Sequence, residues 1–441
     1  LLSRGFQRIA ELRPGISLHQ LFNGIVHGRG LQRHLLLAAA VADIVHRDYP
    51  DPFVERDNGE PCEGAKARNS NMLTKGDDYP VHQRPEPVAT AGTDRNFYDR
   101  YYFGGYSPDG ATYFVAALGV YPHLDLMDAA FMIQRAGIQE SLIASRQLHS
   151  ERLDTRVAPI SVEVLEPLRR LAVRVDPNDH GIGADLVFEG LAAPIEEPRF
   201  IYRSGPRTIL DLTRMTQGGR WRGRLSCAGE TFAVDAWGGV RDRSWGVRPI
   251  GARDAQPSPG GAMPQWFWLW APMQFDDHLF FFHTNDDAAG KPWNRSAVLL
   301  PLNGRGPLPL ADVGFSLDFR IGTRQVARAT ITGVLPDGRS LSLDLVVEGV
   351  VYLQGAGYNH PTWSHGSYHG EYALHHQQLD CTALDPNAME QIHQQTPCRA
   401  TLTLSGDLPR TGRGIFEQML LGPHAATGLQ GLLDPVLERG R

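Results

Sequence analysis

FYDRYYFGGYSPDGATYFVAALGVY, residues 97–121, decides the fold. Two runs rich in aromatic and β-branched side chains flank SPDG, residues 107–110. Such runs around a Pro-Asp-Gly turn read as a β-hairpin. The same grammar continues through ISVEVLEPL, RRLAVRVD and ADLVFEGL, with DPNDHGIG and TQGG as punctuation. After a linker-like break, ARDAQPSPGGAMP at 252–264, a second series follows: QWFWLWAPM, HLFFFHT, SAVLLPL, FSLDFRI, RSLSLDLVVEGV and RATLTLSG. Strands never alternate with helices, which argues against Rossmann and TIM architectures.

The pattern predicts an all-β chain with two tandem antiparallel barrel or sandwich domains, residues 77–255 and 256–408. Each has enough strands to enclose a ligand. Helical extensions are expected at both ends. Residues 1–76 read as helix plus linker, because Leu18, Leu21, Phe22, Ile25 and Val26 follow helical spacing. Residues 409–441 read as a helical tail broken at Gly422-Pro423.

Composition narrows the function. The 441 residues carry a net charge of −6, so no basic field recruits nucleic acid. Arginine supplies 40 of the 43 basic residues, which we read as coding bias, as in a GC-rich bacterial genome. Four separated cysteines form no zinc or redox pattern. The longest apolar run, LLLAAAVADIV at 35–45, is too short to span a bilayer. A cytoplasmic protein is the default expectation, with peripheral membrane contact and a homodimer left open. No P-loop, GxGxxG or GxSxG elbow is present, so no organic cofactor is expected.

Five stretches could carry chemistry. GGVRDRSWGVRP, residues 238–249, reads as a turn in which Asp242 is either clasped by Arg241, Arg243 or Arg248, or held as a neutral acid against Trp237 and Trp245. GAGYNHPTWSHGSYHGEYALHHQQ, residues 355–378, holds five of the 17 histidines. On a strand, His365, Ser367, His369 and Glu371 would share one face. That set suits a polar patch in a cavity better than a metal site, so no metal is expected. Its start, with Tyr358, His360 and Trp363, suits a loop crossing a barrel mouth. DDYPVHQRPEP, residues 77–87, offers His82 as part of a lid or a packed connector. Trp266 and Trp268 share a strand face with Trp270, lining either a pocket or a domain interface. In LGVYPHLDLMDAAFMI, residues 118–133, Asp125 and Asp128 shape a turn, with a pocket role for Asp128 open.

With these residues in view, VRDRSWGVRP resembles the D-x-x-W-G aspartate motif of carotenoid 1,2-hydratase-like proteins. GYNHPTWSHG followed by GE is similar to a C-terminal motif of their bacterial relatives, in the tandem lipocalin-like group that includes AttH-type proteins. The resemblance covers roughly residues 77–405. It implies two lipocalin-like domains around an apolar ligand, of terpenoid, steroid or polyketide type. It also implies that Asp242 protonates a double bond; on an enzyme reading of the residues, His365, His369 and Glu371 would position water or a polar group. Trp245, Arg248, Trp237, Trp266, Trp268, Tyr358, His360, Trp363 and His82 would contact the ligand. Val240 stands where the hydratases, as aligned, have an aromatic. The expected function is therefore ligand binding with acid-assisted hydration, dehydration or cyclisation. The alternative is a non-catalytic carrier.

Overall fold

The computed structural model describes residues 81–437 except 84, 91–93 and 253–264. By contacts the chain separates into Leu1–Asn69 and Ser70–Arg441, and the described residues lie in the second unit. The expected N-terminal helix and the boundary at 255/256 lie outside the described residues.

Twelve consecutive strands build most of the first sheet: β1 (Phe97–Tyr106), β2 (Thr112–Tyr121), β3 (Leu126–Arg135), β4 (Ile138–Gln147), β5 (Arg156–Val157), β6 (Ile160–Glu166), β7 (Arg170–Val175), β8 (Gly183–Gly190), β9 (Ile195–Glu196), β10 (Phe200–Ser204), β11 (Arg207–Cys227) and β12 (Glu230–Val247). The second sheet holds β13 (Trp266–Trp270), β14 (Met273–Gln274), β15 (His278–Asp286), β16 (Pro292–Pro301), β17 (Leu308–Pro309), β18 (Ala311–Phe319), β19 (Val326–Val334), β20 (Ser340–Val347), β22 (His393–Leu404) and β23 (Arg410–Leu421). The strand between β20 and β22, β21 (Tyr372–Asp380), crosses back to pair with β4 at the edge of the first sheet. The chain order thus gives sheets of 13 and 10 strands, antiparallel throughout.

The opening hairpin forms as expected, with Asp109 accepting from Ser107 and Ala111 inside its turn. Three readings change. First, 238–247 is no turn. It is the second half of β12, which pairs with β1 and β11 along its length. Its glycines have another cause. Gly104-Gly105, Gly218-Gly219 and Gly238-Gly239 lie at one level on three adjacent strands. A Cβ on Gly239 would meet the Trp221 indole at 2.3 Å, and one on Gly218 would meet Leu279 of the second sheet at 2.9 Å. The glycines let rings and a second sheet approach the backbone closely.

Second, the tail expected as helix contains β23, a strand hydrogen-bonded on both sides to β13 and β22. Buried on both faces, Ile415–Leu420 lacks the alternation of a half-exposed strand. Third, His365, Ser367, His369 and Glu371 share no strand face, because 357–371 is a loop. Gly366 and Gly370 adopt φ of 72° and 91°, which breaks the two-residue period.

Each series of strands packs a core of its own. One packs Phe103, Phe114, Phe131, Phe188, Trp221 and Trp237. The other packs Phe267, Phe280, Phe282, Leu343 and Phe416. A third cluster, with Tyr98, Tyr102, Tyr113, Trp268, Trp270 and Ile415, joins the two sheets. No helix among the described residues is long and apolar enough to cross a membrane.

Candidate functional site

Between the sheets, large apolar side chains surround a set of buried charges. Period two along β12 sorts its charges. Asp242 faces the second sheet, beside Tyr102 of β1 and Thr216 of β11. Arg241 and Arg243 point the other way. Arg241 Nε donates to Gln217 at 2.7 Å. Arg243 pairs with Asp99 and lies 4.2 Å above the Tyr101 ring. Neither holds Asp242.

The partner that does is Arg214, on β11. Its Nη2 lies 3.0 Å from Asp242 Oδ2, and its Nη1 lies 3.3 Å from Glu197 Oε2. The guanidinium rests 4.5 Å from the Trp270 ring centre and 5.2 Å from that of Trp268. Burial pushes the Asp242 carboxyl above the ordinary carboxylate range, and Glu197 and Glu417 push the same way, while Arg214 opposes them. Among the described residues, only Oδ2 of Asp242 has a hydrogen bond.

The second sheet supplies the opposite wall. Glu417 Oε1 accepts from Trp268 Nε1 at 2.6 Å and lies 2.8 Å from His393 Nε2; its Oε2 accepts from Gln395 at 2.5 Å. Gln395 in turn accepts from Tyr102 and Tyr113 of the first sheet. The polar chain therefore runs from one sheet into the other. Burial raises the Glu417 pKa, but His393, Arg214 and Gln395 outweigh it and hold it low.

Tyr358 links this network to a pocket. Its ring packs edge-on against His365 at 4.4 Å and His393 at 4.7 Å, under Arg100 at 4.7 Å and Arg248 at 5.9 Å. The pocket lies between β1, β3, β4 and the 357–371 loop; its enclosed part is about 10 Å³, and the figure of about 270 Å³ includes the solvent-open space in front of it. Arg100, Asp128, Trp363, His365 and His369 line it. His365 Nδ1 faces Asp128 Oδ2 at 3.8 Å, and burial with the nearby Arg100 pushes the imidazole pKa down to about 3. Asp128 lies on β3, past the turn where it was expected, and accepts from Tyr121 at 3.0 Å and from the Gly366 N–H at 2.8 Å. Burial alone would raise its pKa, but His365, Arg100 and that N–H hold it low.

The structure brings together Asp242, Arg248, Trp268, Tyr358, Trp363, His365 and His369 of the residues expected at the site. Others stand elsewhere. Glu371 is exposed and bonds to His149 at 2.6 Å, because the loop turns it outward. No group of three or more metal-ligating side chains is assembled among the described residues. Trp245, three residues after Asp242, falls on the opposite face and is 39% exposed. Trp237 packs with Phe114 in the first core. Trp266 packs against Tyr202 and Trp293. His360 Nδ1 accepts from the Thr362 and Trp363 N–H groups, shaping the loop. His82 is exposed, outside any strand.

Arg214, Glu197, Glu417, His393, Gln395 and Arg100 escaped the sequence reading. One signal was present for Arg214: residues 210, 212, 214 and 216 form the buried face of a strand, and a charge interrupts its leucines.

A family model described as a family of unknown function (DUF8625) matches residues 73–430. No protein of curated function matches the chain. Solved structures that match include an AttH candidate from Nitrosomonas europaea, at 13% identity and TM-score 0.46, covering 77% of this chain and 98% of that one. Kievitone hydratase from Nectria haematococca matches at 10% identity and TM-score 0.38, covering 80% of this chain and 96% of that one.

Proposed function

The chain belongs to the family of unknown function DUF8625, and from the geometry between its sheets we propose an enzyme that adds water to, or removes it from, a small molecule with an apolar or aromatic body. Asp242 donates the proton. The observation that carries this reading is its carboxyl: largely shielded, with 13% of the side chain exposed, raised in pKa by burial, and turned away from both neighbouring arginines. A general acid has to be neutral at working pH and screened from bulk water. Trp268, Trp270, Tyr98 and Tyr102 give apolar walls that tolerate developing positive charge. His365, neutral and buried, positions the water.

A specific observation favours a second reading. The 3.0 Å contact from Arg214 is the geometry of a structural clasp, and a carrier would need nothing more from Asp242. Asp242→Asn separates the two. The ligand is first identified by mass spectrometry of the material that co-purifies with the full chain. For the enzyme, Asp242→Asn lowers turnover of that molecule by at least ~100-fold and leaves its affinity nearly unchanged. For the carrier, no turnover exists to lose, and the variant is simply less stable. Unchanged turnover removes Asp242 from the mechanism.

A further inference from the structure

Arg100 is 3% exposed, yet its Nε and Nη1 have no hydrogen-bond partner. No carboxylate among the described residues lies within ion-pair distance of it. Asp128 is close enough to act on its charge, but the Asp128 oxygens are committed to Tyr121 and Gly366. A buried guanidinium without partners is costly, so native structures supply one. Arg248, half-buried, stacks 4.8 Å over Tyr98 and forms no ion pair among the described residues.

The same pocket has an unsatisfied acceptor. With Nδ1 turned to the Asp128 carboxylate, the single proton of neutral His365 belongs on Nδ1. Its Nε2 is then a bare lone pair, and it too is buried without a partner. Donor and acceptor line one space. A ligand completing both needs an oxygen acceptor for Arg100 and an O–H donor for His365.

We propose that this pocket is the subsite for a hydroxy-carboxylic acid, with the carboxylate on Arg100 under the field of Arg248 and the neighbouring hydroxyl donating to His365 Nε2. Trp363 and Tyr358 flank the apolar remainder. The proposal names the substrate class of the cleft described above. It rests on that cleft being a ligand site, and not on Asp242 being an acid.

Calorimetric titration of the full chain with mandelate, phenylacetate and mandelamide tests it. Phenylacetate lacks the hydroxyl, and mandelamide lacks the charge. Mandelate should bind at least about tenfold more tightly than either, since a site built for a polar group rejects analogues without it. Arg100→Gln should erase the preference over mandelamide, and His365→Gln the preference over phenylacetate. If Arg100→Gln does not fold, Arg100→Lys should keep a reduced preference for the acid. Equal affinity for the three molecules, or no binding of any at millimolar concentration, overturns the proposal and leaves the pocket a site for ordered water only. Asp242→Asn should bind mandelate normally. Loss of the subsite and loss of the acid are thereby read separately.

Discussion

A single backbone rule sets the state of Asp242. Two flanking arginines looked like a clasp in the linear sequence. On a strand they face away, and a third arginine, 28 residues upstream, takes their place. The residue's neighbours in sequence are therefore not its electrostatic neighbours. Histidines of the 357–371 loop give a prediction at the same scale. Burial pushes the His365 pKa down to about 3 and that of His360 down to about 4, both below the ordinary histidine value of 6.5. As pH falls below 6.5, the unfolded chain takes up these protons first. Stability is thus fully present above that pH and is lost down to about pH 3. Each histidine should contribute a slope of up to about 1.4 kcal/mol per pH unit in the window where only the unfolded form is protonated. Urea unfolding at pH 7 and pH 5 measures the slope, and His365→Gln should reduce it.

Among elements, the aligned glycine pairs of β1, β11 and β12 decide how closely the layers approach. Their odd-numbered members face the Trp221 and Phe188 rings, and Gly104 and Gly218 face the second sheet. Gly239→Ala should destabilise by about 1–3 kcal/mol, because its Cβ overlaps the indole in a packed core. Gly306→Ala, at a position with nothing within 4 Å, should change stability by no more than about 0.5 kcal/mol. Equal midpoints for the two variants in urea would falsify the packing account. The glycine pairs were plain in the sequence. Their alignment was not, because register is fixed by pairing partners far apart in the chain.

For the molecule as a whole, β21 and the Tyr102–Gln395–Glu417 chain tie the two sheets together. We propose that the two β-domains expected from the sequence fold as one cooperative unit. The second series of strands contributes β21 to the first sheet, so the first series alone leaves that sheet one strand short. Calorimetry of the full chain should show one transition for Ser70–Arg441, with the calorimetric and van't Hoff enthalpies equal for it. Two resolved transitions within that unit would mean that the sheets are independent.

The sequence by itself determined the all-β character, the hairpin rhythm and the two strand series, because alternation and turn chemistry are local properties, and it singled out the stretches around Asp242 and His365 as candidates. It left open which way Arg241 and Arg243 point, because the stretch read as a turn. Only the tertiary structure decided that 238–247 is a strand, that Glu371 leaves the site, and that Arg100, Arg214, Glu197 and Glu417 enter it. Those residues meet through pairing and packing across separations from 17 positions, Glu197 to Arg214, to 258, Arg100 to Tyr358. Which charges share a desolvated cleft depends on how two sheets face each other, and no short-range pattern encodes that.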